Sequence, residues 1–238
     1  MSKTFHTQSE THLGDCLLHT HFLNEVLKKY PEFVFYYYVL DKHIEQVKDF
    51  IEDNNKIIVK PYDNAPSNSF RGWVGQFGIP FIPFNLCELR LSSYIKLCKG
   101  LQIECPFKKI EDLLPYINAL NPTNKEWDIL LINSTPLSNQ LSKNIHENEF
   151  IEKFKHKKII TTKPVKNIPC TLDFNLSVYK IGQLSIFTQK IIGINTGPWF
   201  SVMNKNNFEN KKVLYYLDEN CKFSYSNCVN VDTLKVFI

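Results

Sequence analysis

Ile191-Ile192-Gly193-Ile194-Asn195-Thr196-Gly197-Pro198-Trp199 is the stretch on which the fold of this 238-residue chain turns. An apolar, mostly β-branched run passes straight into a turn of Asn, Thr, Gly and Pro, with Ser201 close behind. That is the form of a buried strand whose carboxyl end carries a ligand-facing loop. Gly197 allows a close approach of the backbone to a ligand, or a positive φ. Thr196 and Ser201 offer hydroxyls, and a helix starting after Pro198 would present free amides to a diphosphate. The same residues also read as a tight strand-to-helix turn, capped by Ser201 and holding no ligand. Both readings stand at this point.

Working outward, strands and helices alternate around that turn. Residues 127–132 read as a strand ending in the loop Asn133-Ser134-Thr135-Pro136, and 148–154 as a helix. A strand at 158–162 runs into Lys163-Pro164, a helix at 175–187 feeds the opening strand, and a helix at 202–208 and a strand at 213–216 follow. The first half shows the same alternation. A strand near 5–8 is followed by the turn before Asp15, and Leu17, Leu18, Phe22, Val26 and Leu27 then recur at helical spacing. Pro31 stops that helix. Residues 33–40 are a dense aromatic and β-branched strand, Asp41 is placed to cap a helix over 44–51, and 57–59 is a third strand. The order β-α-β-α-β favours a parallel sheet with right-handed crossovers. Residues 73–84, rich in Gly and Pro, read as a short helix and extended segment or as a lip over a cleft. Residues 86–98 read as a helix, and 107–120 as linker plus a helix interrupted at Pro115. The expected fold class is α/β, in two Rossmann-like halves divided as 1–115 and 116–238.

Open parallel sheets bind ligands beyond the carboxyl ends of their strands. Here those ends hold residues 12–15, Asn133 with Ser134 and Thr135, Thr162-Lys163, and Asn195 to Ser201. Asp15 follows Gly14 at the start of an apolar helix. It reads as an N-cap, or, in a cleft, as a general base removing a proton from an attacking hydroxyl. His12 would then assist, or contact phosphate.

Composition narrows the classes. The net charge is +4, from 28 basic and 24 acidic side chains, and the lysines are spread out. The densest basic patch, 153–158, reads as the solvated end of a helix, so a nucleic-acid partner is not expected. No apolar run is long enough to span a membrane, and no signal segment follows Met1, so export is not expected. Seven cysteines without repeated spacing point to a reducing compartment. Cys16, Cys87, Cys98, Cys105 and Cys170, flanked by apolar residues, read as ordinary core thiols. Cys221 and Cys228 lack the second pair a zinc site needs. Phosphate-binding Gly-x-x-x-x-Gly-Lys, dinucleotide Gly-x-Gly-x-x-Gly and nucleophile-turn Gly-x-Ser-x-Gly segments are all missing.

The run His12-Leu13-Gly14-Asp15-Cys16-Leu17-Leu18, with its helix ending in Lys28-Lys29-Tyr30-Pro31, resembles the start of the heptosyltransferase-like glycosyltransferases. A second match is residues 179–198, where helix and strand lead to Thr196-Gly197-Pro198. The resemblance implies a two-domain glycosyltransferase B fold with parallel sheets facing across a cleft. Its first domain is reduced and acceptor-side, and its second binds the nucleotide sugar. It implies transfer of a sugar from a nucleotide-diphosphate donor to a hydroxyl on a glycan or lipid-linked glycan, with no metal or other cofactor. Asp15 would correspond to the catalytic carboxylate, with His12 and Gly14 beside it. Asn195, Thr196, Gly197, Pro198 and Ser201 would form the donor-phosphate turn, and Asn133, Ser134, Thr135 and Lys163 further donor contacts. A cytoplasmic location and, given the many aromatics, a homo-oligomer are expected. The chain departs from the pattern where Trp199 and Phe200 replace a polar continuation and no histidine follows the proline. The alternative is a nucleotide- or glycan-binding protein on the same scaffold without turnover.

Overall fold

The computed structural model describes residues 3–10, 12–72, 86–135, 146–194, 196–210, 214–216 and 231–233. The chain divides into two compact units, Met1–Leu113 and Leu114–Ile238. Each is α/β and carries its own parallel sheet, one of four strands and one of five.

In the first unit β1 (Lys3–Ser9), β2 (Phe33–Val39), β3 (Ile57–Pro61) and β4 (Phe70–Arg71) lie in the order β3-β2-β1-β4. Helix α1 (Leu13–Lys29) crosses from β1 to β2, and α2 (Ile44–Lys48) from β2 to β3. Helix α3 (Leu86–Gly100) follows β4. The sheet is cohesive because β2 is an aromatic and β-branched run, and Phe33, Phe35, Tyr37 and Val39 are all buried. Helix α1 is wrapped on several sides. It buries Leu17, Phe22, Leu23 and Val26, and also His19, Thr20, His21 and Asn24.

Buried polar groups require partners, and these mostly have them. His21 Nε2 meets the Asp112 carbonyl at 2.9 Å. Asn24 donates to the Phe50 carbonyl at 2.7 Å and accepts from the Glu52 amide. Phe22 stacks on Tyr94 of α3 at 4.4 Å between centroids and meets Phe107 edge-on at 5.7 Å. Truncating such a ring costs about 3–5 kcal/mol.

The second unit orders β5 (Trp127–Ile132), β6 (Ile159–Thr161), β7 (Thr188–Gly193), β8 (Leu214–Tyr216) and β9 (Val231–Thr233) as β6-β5-β7-β8-β9. Helices α4 (Glu147–Lys153) and α5 (Val178–Ile186) are the crossovers, and α6 (Gly197–Val202) and α7 (Lys205–Glu209) follow β7. Strand β5 is buried on both faces, as a strand in a covered parallel sheet must be. Ile129, Leu131, Phe150, Ile159, Ile192 and Ile194 form one core cluster. Gly193 is where β7 presses on β5: a methyl there would lie 2.5 Å from Ile132 Cβ and 3.0 Å from its carbonyl oxygen.

Several expectations are corrected. Residues 107–120 form only a 3-10 turn at Ile110–Leu113, because Pro106 and Pro115 bracket too short a run. Asp41 does not cap α2; it lies inside a 3-10 turn, Asp41–His43, preceded by Leu40. The helix expected over 202–208 is two helices, broken at Met203 and restarted by Asn204, whose side chain accepts from the Asn207 amide at 2.9 Å. Strands β4 and β9 had no counterpart in the sequence reading. Segment 73–84, Cys87, Pro136, Asn195, Cys221 and Cys228 fall at positions whose structure or side chains lie outside the described residues.

Candidate active site

In the first unit the connection from β1 to α1 occupies the carboxyl edge of the sheet. His12 holds the N-cap position of α1 in extended backbone, and its side chain makes no capping bond. Asp15 is therefore in the first turn rather than at the cap; acidic residues there favour the helix dipole. Its carboxylate accepts from Arg90 of α3 at 3.0 Å, in a pair whose side chains are only 17% and 10% exposed. The guanidinium gives the carboxylate a counter-charge and fixes its orientation. A methyl on Gly14 would meet nothing within 4 Å. Cys16, next to Asp15, is no competing nucleophile: burial pushes its thiol up to about 11.

On the other side of the same connection Glu10 accepts from Arg71 at 3.1 Å and from the Tyr62 hydroxyl. The bond to Glu10 raises the Tyr62 hydroxyl above its ordinary pKa. The sequence reading missed Glu10, Tyr62, Arg71 and Arg90. One signal was available. Of 28 Lys and Arg side chains only two are Arg, and both ion-pair with carboxylates flanking the β1–α1 connection.

In the second unit the loops after β5 and β6 are bound to each other. Asn133 is buried, and its Oδ1 accepts from the amides of Thr162 and Lys163 at 3.1 and 2.9 Å. Its Nδ2 donates to Glu147 at 2.8 Å. The Thr162 hydroxyl accepts from the amides of Asn133 and Ser134 at 3.0 and 3.2 Å, and from the Ser134 hydroxyl at 2.8 Å. Asn133 thus acts on the shape of the loops, while Thr135 and Lys163 are exposed at their surface. Lys163 Nζ lies 3.7 Å from Glu147.

At the end of β7, Thr196 is the N-cap of α6 but makes no capping bond, and its hydroxyl is buried without a partner. Gly197 and Pro198 open the helix and are half-buried. Ser201 is buried instead of facing the loop. Its hydroxyl donates to the Pro198 carbonyl at 2.8 Å, and its carbonyl oxygen would lie 2.9 Å from a methyl on Gly182 of α5. Trp199 is buried too, so the departure from the polar pattern is a packing choice. Among the described residues no three His, Cys, Asp or Glu side chains converge as metal ligands would.

The chain has the fold of the heptosyltransferases. Its structure is similar to a glycosyltransferase of family 9 from Veillonella parvula at a TM-score of 0.54 and 10% identity, covering 98% of this chain and 85% of that one. Against Escherichia coli heptosyltransferase WaaC with ADP-2-deoxy-2-fluoro heptose, the TM-score is 0.55 at 9% identity, over 97% and 93% of the two chains. The iron-containing dodecameric glycosyltransferase TibC from enterotoxigenic E. coli gives 0.54 at 14%, over 91% of this chain and 58% of TibC. No protein-family model matches the sequence, and no curated protein sequence matches it. The heptosyltransferase fold therefore persists here at a sequence distance where the fold alone is carried over. The chain is also shorter than these structures.

Proposed function

We propose that this protein is a glycosyltransferase that moves a sugar from a nucleotide-diphosphate sugar to a hydroxyl acceptor, with Asp15 as general base. The observation that carries the reading is the heptosyltransferase fold over nearly the whole chain. Asp15 lies half-buried at the carboxyl edge of the first sheet, next to Gly14, where a methyl would meet nothing within 4 Å. Heptosyltransferase WaaC is known with an ADP-linked heptose analogue, which motivates a nucleotide-diphosphate sugar as donor here.

The acceptor hydroxyl would lose its proton to Asp15 as its oxygen attacks the anomeric carbon, and the bond to the diphosphate would break. The orphaned Thr196 hydroxyl and the α6 amides would stabilise the departing diphosphate, with Lys163 as a counter-charge. The residues of 1–115 would take the acceptor, a glycan or lipid-linked glycan, and those of 116–238 the donor. No metal enters this scheme.

Asp15→Asn is the direct test, with uridine, guanosine and adenosine diphosphate sugars as donors. Turnover is expected to fall about 10²–10⁴-fold, with the donor-induced shift in melting temperature retained. Unchanged turnover with normal folding and donor binding removes Asp15 from the mechanism. A second reading, binding without turnover, is favoured by the Asp15–Arg90 pair, which already engages the carboxylate. Donor binding with no transfer across a broad acceptor panel would select it.

A further inference from the structure

Asp15, His19 and Phe22 are four and then three residues apart, so they share one face of α1. Arg90 and Tyr94, four apart, share one face of α3. The two faces meet in a seam. Tyr94 stacks on Phe22 at 4.4 Å between centroids and on His19 at 6.0 Å, and Phe107 meets it edge-on at 5.5 Å. All four rings are buried. Arg90 lies one helical turn before Tyr94, and Asp15 one turn before His19, so the ring stack sets guanidinium and carboxylate level with each other. There Arg90 Nη2 donates to Asp15 Oδ1 at 3.0 Å. Asp15 Oδ2 has no partner, and the side chain keeps 17% of its surface open. The Asp15 backbone is fixed separately, its amide donating to the His12 carbonyl at 3.0 Å.

We infer that Arg90 is the positioning residue of the general base, holding Asp15 by Oδ1 so that Oδ2 receives the proton of the acceptor hydroxyl. The inference rests on the reading of Asp15 as base. The acceptor proton goes to Oδ2, and the acceptor oxygen bonds to the anomeric carbon. The electron pair of the broken carbon–oxygen bond leaves with the nucleoside diphosphate.

Two observations set this role apart from that of a pair that only ties two helices together. The aromatic stack already joins α1 to α3, and a buried ion pair is weak evidence for stability beside such contacts. The cation is also one of only two arginines among 28 basic side chains. A lysine would supply the same charge, whereas the planar guanidinium holds a carboxylate in one direction. The bond takes one oxygen only, so the contact with Arg90 leaves the base its other lone pairs.

Arg90→Ala, Arg90→Lys and Asp15→Asn are compared in the full-length protein. The donor is whichever of the uridine, guanosine and adenosine diphosphate sugars raises the melting temperature most. Methyl glycosides serve as acceptors, and released nucleoside diphosphate is the readout. In Arg90→Ala, kcat is expected to fall about 10–100-fold, the scale of a displacement of about 1 Å at a reacting group. Acceptor KM and the donor-induced melting shift are expected to hold. Arg90→Lys, which keeps the charge without the planar fork, is expected to fall short of native kcat as well, and it carries the test if Arg90→Ala does not fold. Adding Arg90→Ala to Asp15→Asn is expected to slow turnover no further. Methylguanidinium is expected to restore turnover to Arg90→Ala and not to Asp15→Asn. Guanidinium compounds weaken folds, so that recovery cannot come from a firmer one. Native kcat in either Arg90 variant, or a loss confined to KM, overturns the inference and leaves Asp15 as base. Native turnover in Asp15→Asn, or a native chain that binds donor without transfer, overturns both.

Discussion

The imidazole of His19 is fully buried among the rings of Phe22, Tyr37, Phe70 and Tyr94. Its Nε2 meets the Thr7 hydroxyl at 2.7 Å, while its Nδ1 has no partner. Burial lowers its pKa from 6.5 to about 3. The folded value lies below the unfolded one, so the unfolded chain binds the proton first. Stability from this group is complete above about 6.5 and is lost as the pH falls toward 3, at about 1.4 kcal/mol per pH unit. Urea unfolding across that window is expected to show the slope, and His19→Gln to flatten it. Two glycines make the opposite pair at this scale. Gly193→Ala drives a methyl against Ile132 and is expected to cost about 2 kcal/mol or more in denaturant midpoint analysis. Gly14→Ala meets open space within a helix and is expected to leave stability equal or about 0.5 kcal/mol higher. A loss of donor or acceptor binding in that stable variant would then report ligand contact at the turn.

At the scale of elements, Asn133 joins the loops after β5 and β6 to the start of α4. Asn133→Ala removes the acceptor shared by the Thr162 and Lys163 amides and a donor to Glu147, and about 1–3 kcal/mol of destabilisation is expected from equilibrium unfolding. The elements most legible in the sequence were those whose burial is continuous. Residues 33–39 and, apart from Asp128, 127–132 are apolar or aromatic on both faces, so their strand identity needs no tertiary information. Strand β4 is two residues long and has no periodicity to read. The break between α6 and α7 was hidden because the apolar spacing runs through it, and only the Asn204 cap divides the two helices. The strand-end loops were legible because their small polar residues interrupt apolar runs. Their interactions were not, since Arg90 reaches Asp15 across 75 residues, and the Thr162 and Asn133 bonds span 29.

For the whole molecule, a ligand that binds only the folded state adds stability by mass action, about 2.7 kcal/mol at a hundredfold excess over Kd. Trp127 and Trp199 are both in the second unit, where the donor is proposed to bind, and both are buried. Their fluorescence is expected to follow an unfolding midpoint that rises with the preferred nucleoside diphosphate. A midpoint unmoved by uridine, guanosine and adenosine diphosphates would argue against the proposed donor site. The near-full-length likeness to heptosyltransferases rests on backbone order, since identity is near 10%. Physical constraint accounts for that. Parallel sheets fix where loops lie, while many apolar sequences fill the same core.

The scarcity of arginine makes the carboxyl edge of the first sheet separately addressable by chemistry. Amine-directed labels react with lysines over the whole surface, whereas an arginine-selective dicarbonyl reagent finds only Arg71 and Arg90. Arg71 is 48% exposed and Arg90 10%, so the first is expected to be derivatised while the second is shielded by its bond to Asp15. The rate at which Arg90 becomes labelled is then a clock for how often that ion pair opens. It is a signal confined to one side chain beside the candidate base, readable by mass spectrometry before any substrate is known.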